Sequence, residues 1–162
     1  MKAIRKYLDK TLEAVTIVLL LVMVTVTSWQ VISRYLLNNP SSVTDEFLRY
    51  GLIWFSLLAG AYVVGKRSHI AITFLRDYIK TEQKKHWIDI AVNISFLLLA
   101  VVMVTGGINA MTLTMAQISP SLNLPMGYVY LSLPVGGMII FIYALLNLFE
   151  VKQTHTQPQA NS

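Results

Sequence analysis

The chain has 162 residues, 55% of them hydrophobic and 13% charged, and ordinary soluble domains carry about 25% charged residues. That composition excludes a water-facing globular surface, and the absence of cysteine excludes disulfides, thiolate metal sites and cysteine nucleophiles. A net charge of +5 does not point to nucleic acid, because the basic residues sit between apolar runs, as they do in the cytoplasmic loops of membrane proteins.

Ala14 to Ser33 contains no charge, and at 1.5 Å per residue this run crosses a hydrocarbon core of roughly 30 Å. Its basic flank (Lys2, Arg5, Lys6, Lys10) also suits a signal peptide, but the apolar run is too long and no A-x-A site follows, so a retained anchor is expected. Asn38, Asn39 and Pro40 break the helix, and Ser42 with Asp45 forms a capping-box-like start for a second span over residues 43–65. Asp45 and Arg49 lie on one face of its first turns. Lys66 and Arg67 mark its end.

From Ile70 to Ile79 the apolar residues fall on one helical side and Thr73, Arg76, Asp77 and Lys80 on the other. This reads as a short interfacial amphipathic helix, or equally as a surface helix linking two spans, since amphipathicity does not measure depth. Ile90 to Phe149 then holds no Asp, Glu, Lys, Arg or His, too long a run for one span and right for two. The turn formers between Gln117 and Gly127 divide it into spans of about 87–116 and 128–148. The third exceeds what a bilayer requires and has to tilt or protrude.

The expected fold is therefore all-α, a polytopic membrane protein of four transmembrane helices. Residues 1–152 form a single domain and 153–162 a polar, disordered tail. Eleven of the thirteen Lys and Arg residues lie before the first span, between the second and third, or in the tail, leaving Arg34 and Arg49 on the other side. This bias predicts cytoplasmic termini.

An enzyme or self-sufficient ion-coupled transporter needs ionisable groups or unwound polar backbone at mid-membrane depth, and none is visible; all three histidines lie outside the spans. No catalytic residue, cofactor or metal site is expected. Arg34 closes the first span and Glu46 opens the second, so an ion pair across the turn is geometrically reasonable, with two separately solvated charges as the other reading. Small residues (Gly60, Ala61, Gly65, Gly106, Gly107, Ala110, Gly136, Gly137) mark packing faces, with packing inside the chain as the default. Pro134 reads as a tolerated kink. Asn93, Asn109, Gln117 and Asn147 read as interhelical hydrogen bonds. Trp29, Trp87, Tyr128 and Tyr130 read as interfacial anchors, with Trp54 lying deeper.

The stretch from Trp29 to Ile72, WQVISRYLLNNPSSVTDEFLRYGLIWFSLLAGAYVVGKRSHIAI, resembles the small permease subunit of TRAP transporters, the DctQ-like family. The matching positions are Arg34 with Tyr35, Glu46, Trp54, Gly60 with Ala61, and His69 followed by an apolar residue. The last two spans resemble the family only in length, hydropathy and the start of the fourth (Pro134, Gly136). The resemblance implies a sodium-coupled uptake system of the bacterial inner membrane for an organic acid such as sialic acid or a C4-dicarboxylate. Its partners there are a large permease subunit, in a heterodimer, and a periplasmic substrate-binding protein, with membrane lipids around them. The small subunit would serve as scaffold, and its outer loops, Arg34 to Arg49 and Gln117 to Gly127, either help to dock the binding protein or are merely short connecting turns. His69 at the cytoplasmic surface bonds to backbone or headgroup rather than handling protons. The alternatives are an autonomous small transporter or the membrane anchor of another complex.

Overall fold

In a computed structural model of the protein, the backbone is described for residues 2–38, 41–66 and 82–156, and the side chains for 5–38, 41–66 and 87–148. The amphipathic segment from Ile70 to Ile79 and His69 lie outside the described residues. The described chain is helical: α1 (Lys2–Tyr35), α2 (Ser42–Gly65), α3 (Glu82–Thr114), α4 (Gly127–Tyr130) and α5 (Ser132–Thr156). Among the described residues four helical stretches are long and apolar enough to cross a membrane, with α4 and the first part of α5 forming the last.

Local chemistry explains where these helices begin and end. Asn38, with a φ of 49°, takes the left-handed conformation that asparagine tolerates and turns the chain out of α1. Ser41 rather than Ser42 is the N-cap of α2, its side chain accepting from the Thr44 amide at 3.4 Å. Within the last span the helix is interrupted at Leu131, because Pro134 has no N–H to offer the Tyr130 carbonyl. The Ser132 hydroxyl donates to the Val129 carbonyl at 2.7 Å across this step. α1 extends well before Ala14 and α5 continues to Thr156, into the segment expected to be a disordered tail.

The helices pack as a row rather than a closed bundle. α1 lies on α2, α2 on α5, and α5 on α3. α5 is the most enclosed of the long helices, whereas α1 at one end of the row keeps most of its apolar side chains exposed and α3 at the other end about half. The buried cluster comprises Leu12, Leu58, Ala61, Val64, Ala100, Ile140 and Tyr143. Gly107 and Gly137 let α3 and α5 approach closely: a Cβ at Gly107 would stand 2.6 Å from the Pro134 ring, and one at Gly137 2.9 Å from Met103 Cβ. Gly60 and Gly106 face open space. Expected packing faces therefore divide into some used within the chain and some left unpartnered by it.

Candidate functional site

Polar side chains collect where the helices end, on one face of the row with the chain termini and on the opposite face with the connections α1–α2 and α3–α4. At the terminal end, α1 contributes two acidic residues four apart, Asp9 and Glu13, which helical spacing sets on one face. The Tyr143 hydroxyl of α5 donates to Asp9 Oδ1 at 2.6 Å, and the Tyr62 hydroxyl of α2 donates to Glu13 Oε2 at 3.1 Å. Tyr143 is wholly buried and packs closely against Gly65, where a Cβ would come within 2.5 Å of its ring. Arg5 Nη2 donates to the Gly65 carbonyl at 2.5 Å and Asn147 Nδ2 to the Val64 carbonyl at 3.4 Å. These donors satisfy carbonyls at the C-terminus of α2 that have no partner within the helix. The ammonium of Lys66, 5.1 Å from the centroid of the Tyr62 ring, is held above the ordinary lysine value by Tyr62 first, with Glu13 and Asp9 adding to it.

At the other end, Arg34 pairs with Asp45 at 3.6 Å, and Gln30 Nε2 also donates to Asp45. The expected Arg34–Glu46 pair is not what forms. Successive helical residues point about 100° apart, so only one of Asp45 and Glu46 can face α1. Glu46 faces the α3–α4 connection instead and is 7% exposed. Its Oε2 accepts from the backbone amides of Ser121 and Leu122, each at 2.9 Å, and its Oε1 from the Tyr50 hydroxyl at 2.7 Å.

The segment that Glu46 holds is a small hairpin. Ile118 and Pro125 form an antiparallel bridge, the Ser119 amide donates to the Leu124 carbonyl at 2.9 Å, and the Met126 amide to Gln117 at 2.8 Å. Asn123 (φ 52°) supplies the left-handed turn residue. Ser119 is fully buried beside Glu46 and Tyr50, its hydroxyl making no hydrogen bond of good geometry. Gly127 closes the hairpin against α3, where a Cβ would stand 2.9 Å from the Met111 carbonyl.

The sequence-derived candidates thus separate. Arg34 and Asp45 come together, Glu46 joins the hairpin, and Arg49 is exposed. Trp54 packs against the core and Ala61 is buried in it, while Gly60 opens outward. Of the polar candidates, Asn147 bonds between helices, but Asn93 donates back to Asp89 of its own helix at 2.7 Å. Asp9, Glu13, Tyr50, Tyr62 and Tyr143 were not among the candidates. The signal for Asp9 and Glu13 was two acids inside an otherwise basic flank, and for Tyr50 its position four residues after Glu46. Among the described residues no cluster of His, Asp or Glu has the makings of a metal site.

Both ends are therefore built to fasten helices together. Between them the row is apolar, with no ionisable side chain other than tyrosine from residue 14 to 33, 50 to 65 or 90 to 149. Residues 4–154 match the family model described as tripartite ATP-independent periplasmic transporters, DctQ component. The chain is 27% identical over 154 residues to the sialic acid TRAP transporter small permease protein SiaQ of Vibrio cholerae serotype O1, covering 93% of this chain and 87% of that one. A putative TRAP transporter small permease protein of Haemophilus influenzae is 22% identical over 91% of this chain and 88% of its own length. The isethionate TRAP transporter permease protein DctMQ of Oleidesulfovibrio alaskensis is 32% identical over 75% of this chain, which is 20% of that larger protein. Members of the family are transport components rather than enzymes and work with a large permease subunit. Match and architecture agree that this chain is a multi-pass membrane protein and belongs to the DctQ family, the small permease components of TRAP transporters.

Proposed function

We propose that this chain is the stationary scaffold of a sodium-coupled organic-acid uptake system in the bacterial inner membrane. Both termini face the cytoplasm, and the connections α1–α2 and α3–α4 face the periplasm. The observation that carries the reading is the distribution of charge: charged side chains are confined to the ends of the apolar helices that make up the row. Such a row braces a neighbour across the full bilayer thickness and supplies no site at mid-depth for an ion or an organic anion. Substrate and sodium sites then belong to the large subunit. The open faces at Gly60 and Gly106 admit close helix contact from outside the chain. Among substrates we favour sialic acid, in line with the relative from Vibrio cholerae, over a C4-dicarboxylate. The two periplasmic connections assist docking of the binding protein.

Reconstitution in proteoliposomes tests this reading. The chain alone is expected to move no organic acid under a sodium gradient, and uptake is expected to appear only with the large subunit and the binding protein present. Solute accumulation by the chain alone, or full uptake by the large subunit without it, contradicts the proposal.

A further inference from the structure

We propose that Glu46 is a positioning residue for transport: from the first turns of α2 it fixes the hairpin of residues 117–126 in the shape that receives the binding protein. The inference rests on the scaffold reading above.

The ladder within the hairpin leaves two amides of its tip, those of Ser121 and Leu122, directed at one carboxylate oxygen of Glu46. The other oxygen is taken by Tyr50. A two-stranded hairpin of this size is marginal by itself in water, so its shape depends on the anchor beneath it. A buried carboxylate, in turn, is tolerated only where donors surround it, and here the donors come from the hairpin backbone. Each therefore requires the other. Capping α2 does not account for Glu46, because Ser41 performs that task and Glu46 turns to a segment some 75 residues away in sequence.

What the anchored hairpin presents is uncharged. Ile118 is 66% exposed and Leu124 47%, and no Asp, Glu, Lys or Arg occurs between residues 90 and 149. Of the nearby charges, Arg34 is paired with Asp45 and Glu46 is held by the hairpin itself, while Arg49, one turn on, stays exposed. An uncharged hairpin contributes little electrostatic steering of its own and relies on shape and apolar contact, for which preorganisation of the loop decides how much ordering binding must supply. The occupant is the binding protein because the hairpin connects the far ends of two spans, on the side opposite the basic residues.

The test uses the complete transporter in proteoliposomes, with binding protein titrated from the side of the hairpin. Glu46→Gln removes the charge that two amides and a hydroxyl satisfy. It is expected to raise the half-saturating concentration of binding protein about tenfold, and to raise it more than it lowers the maximal uptake rate. In the same variant, a cysteine introduced at Leu122 in this cysteine-free chain should react faster with a membrane-impermeant maleimide. Glu46→Asp keeps the charge and withdraws the carboxylate by one methylene. It gives an intermediate half-saturation and serves as the reference should Glu46→Gln not assemble. Faster labelling with an unchanged half-saturation overturns the inference, as does a lower maximal rate at unchanged half-saturation, the pattern expected if the hairpin meets only the large subunit. Failure of the wild-type complex to transport sinks the scaffold reading instead.

Discussion

Gly106 and Gly107 are adjacent small residues on α3, both read from the sequence as packing positions, yet they have opposite surroundings. A Cβ at Gly107 meets the Pro134 ring, Leu133 Cβ at 2.8 Å and the Pro134 backbone nitrogen at 2.9 Å, none of which can swing aside, whereas a Cβ at Gly106 meets nothing within 4 Å. Gly107→Ala should therefore destabilise the fold by about 1–3 kcal/mol. Gly106→Ala should be neutral or slightly stabilising, since alanine is the better helix former by roughly 1 kcal/mol. Thermal unfolding in detergent separates the two, and equal melting temperatures would contradict the α3–α5 contact. Which of two neighbours is buried depends on the rotation of α3 about its axis. The apolar character of that helix gives no clue to this, because it is nearly uniform around the circumference, the mark of a helix set among other apolar groups.

α1 and α2 are joined over their length by apolar contact and at their ends by polar clasps. The Arg34–Asp45 pair is half exposed on both sides and is worth roughly 0.2–1 kcal/mol, with Gln30 adding a further donor to Asp45. Arg34→Asp should lower the melting temperature slightly, and the double variant Arg34→Asp with Asp45→Arg should recover the loss. Pairing Arg34→Glu with Glu46→Arg should give no recovery, because an arginine at position 46 sets a cation against the amides of Ser121 and Leu122. Recovery in that second swap would count against the assignment of Asp45. That an acid near the start of α2 pairs with Arg34 follows from the sequence spacing; the choice between two consecutive acids is made by the 100° turn between them. The early start of α1 had a similar origin. Charges before Ala14 mark the edge of the hydrocarbon, but a helix continues past that edge wherever tertiary partners fasten it, as Tyr143 and Tyr62 fasten Asp9 and Glu13.

The order α1–α2–α5–α3 sets the described helices in a row with exposed apolar helices at both extremities, the shape that the proposed scaffold role requires. It also fixes which spans are adjacent. Gly51 lies against Met23, a Cβ there standing 3.6 Å from Met23 Cγ. Cysteines at Met23 and Gly51 should thus cross-link on oxidation in membranes, whereas a Met23–Thr105 pair between α1 and α3 should not. A closed bundle, in which α1 also packs on α3, would link both pairs. Thr105 faces outward, its hydroxyl bonded to the Val101 carbonyl of its own helix at 2.8 Å, so the negative result does not depend on disturbing the core.

The number of spans and their approximate limits were readable from residue order because backbone hydrogen bonding in hydrocarbon is satisfied within each helix, and a long uncharged run carries that requirement locally. That the spans hold no charged side chain at mid-depth was readable directly from residue order. Helix order, the partner of Glu46 and the difference between Gly106 and Gly107 were not, because lipid and neighbouring helix are equally apolar. Contact is then chosen by van der Waals fit and a few polar clasps between residues far apart in the chain, and such fit exists only once the helices have been set side by side.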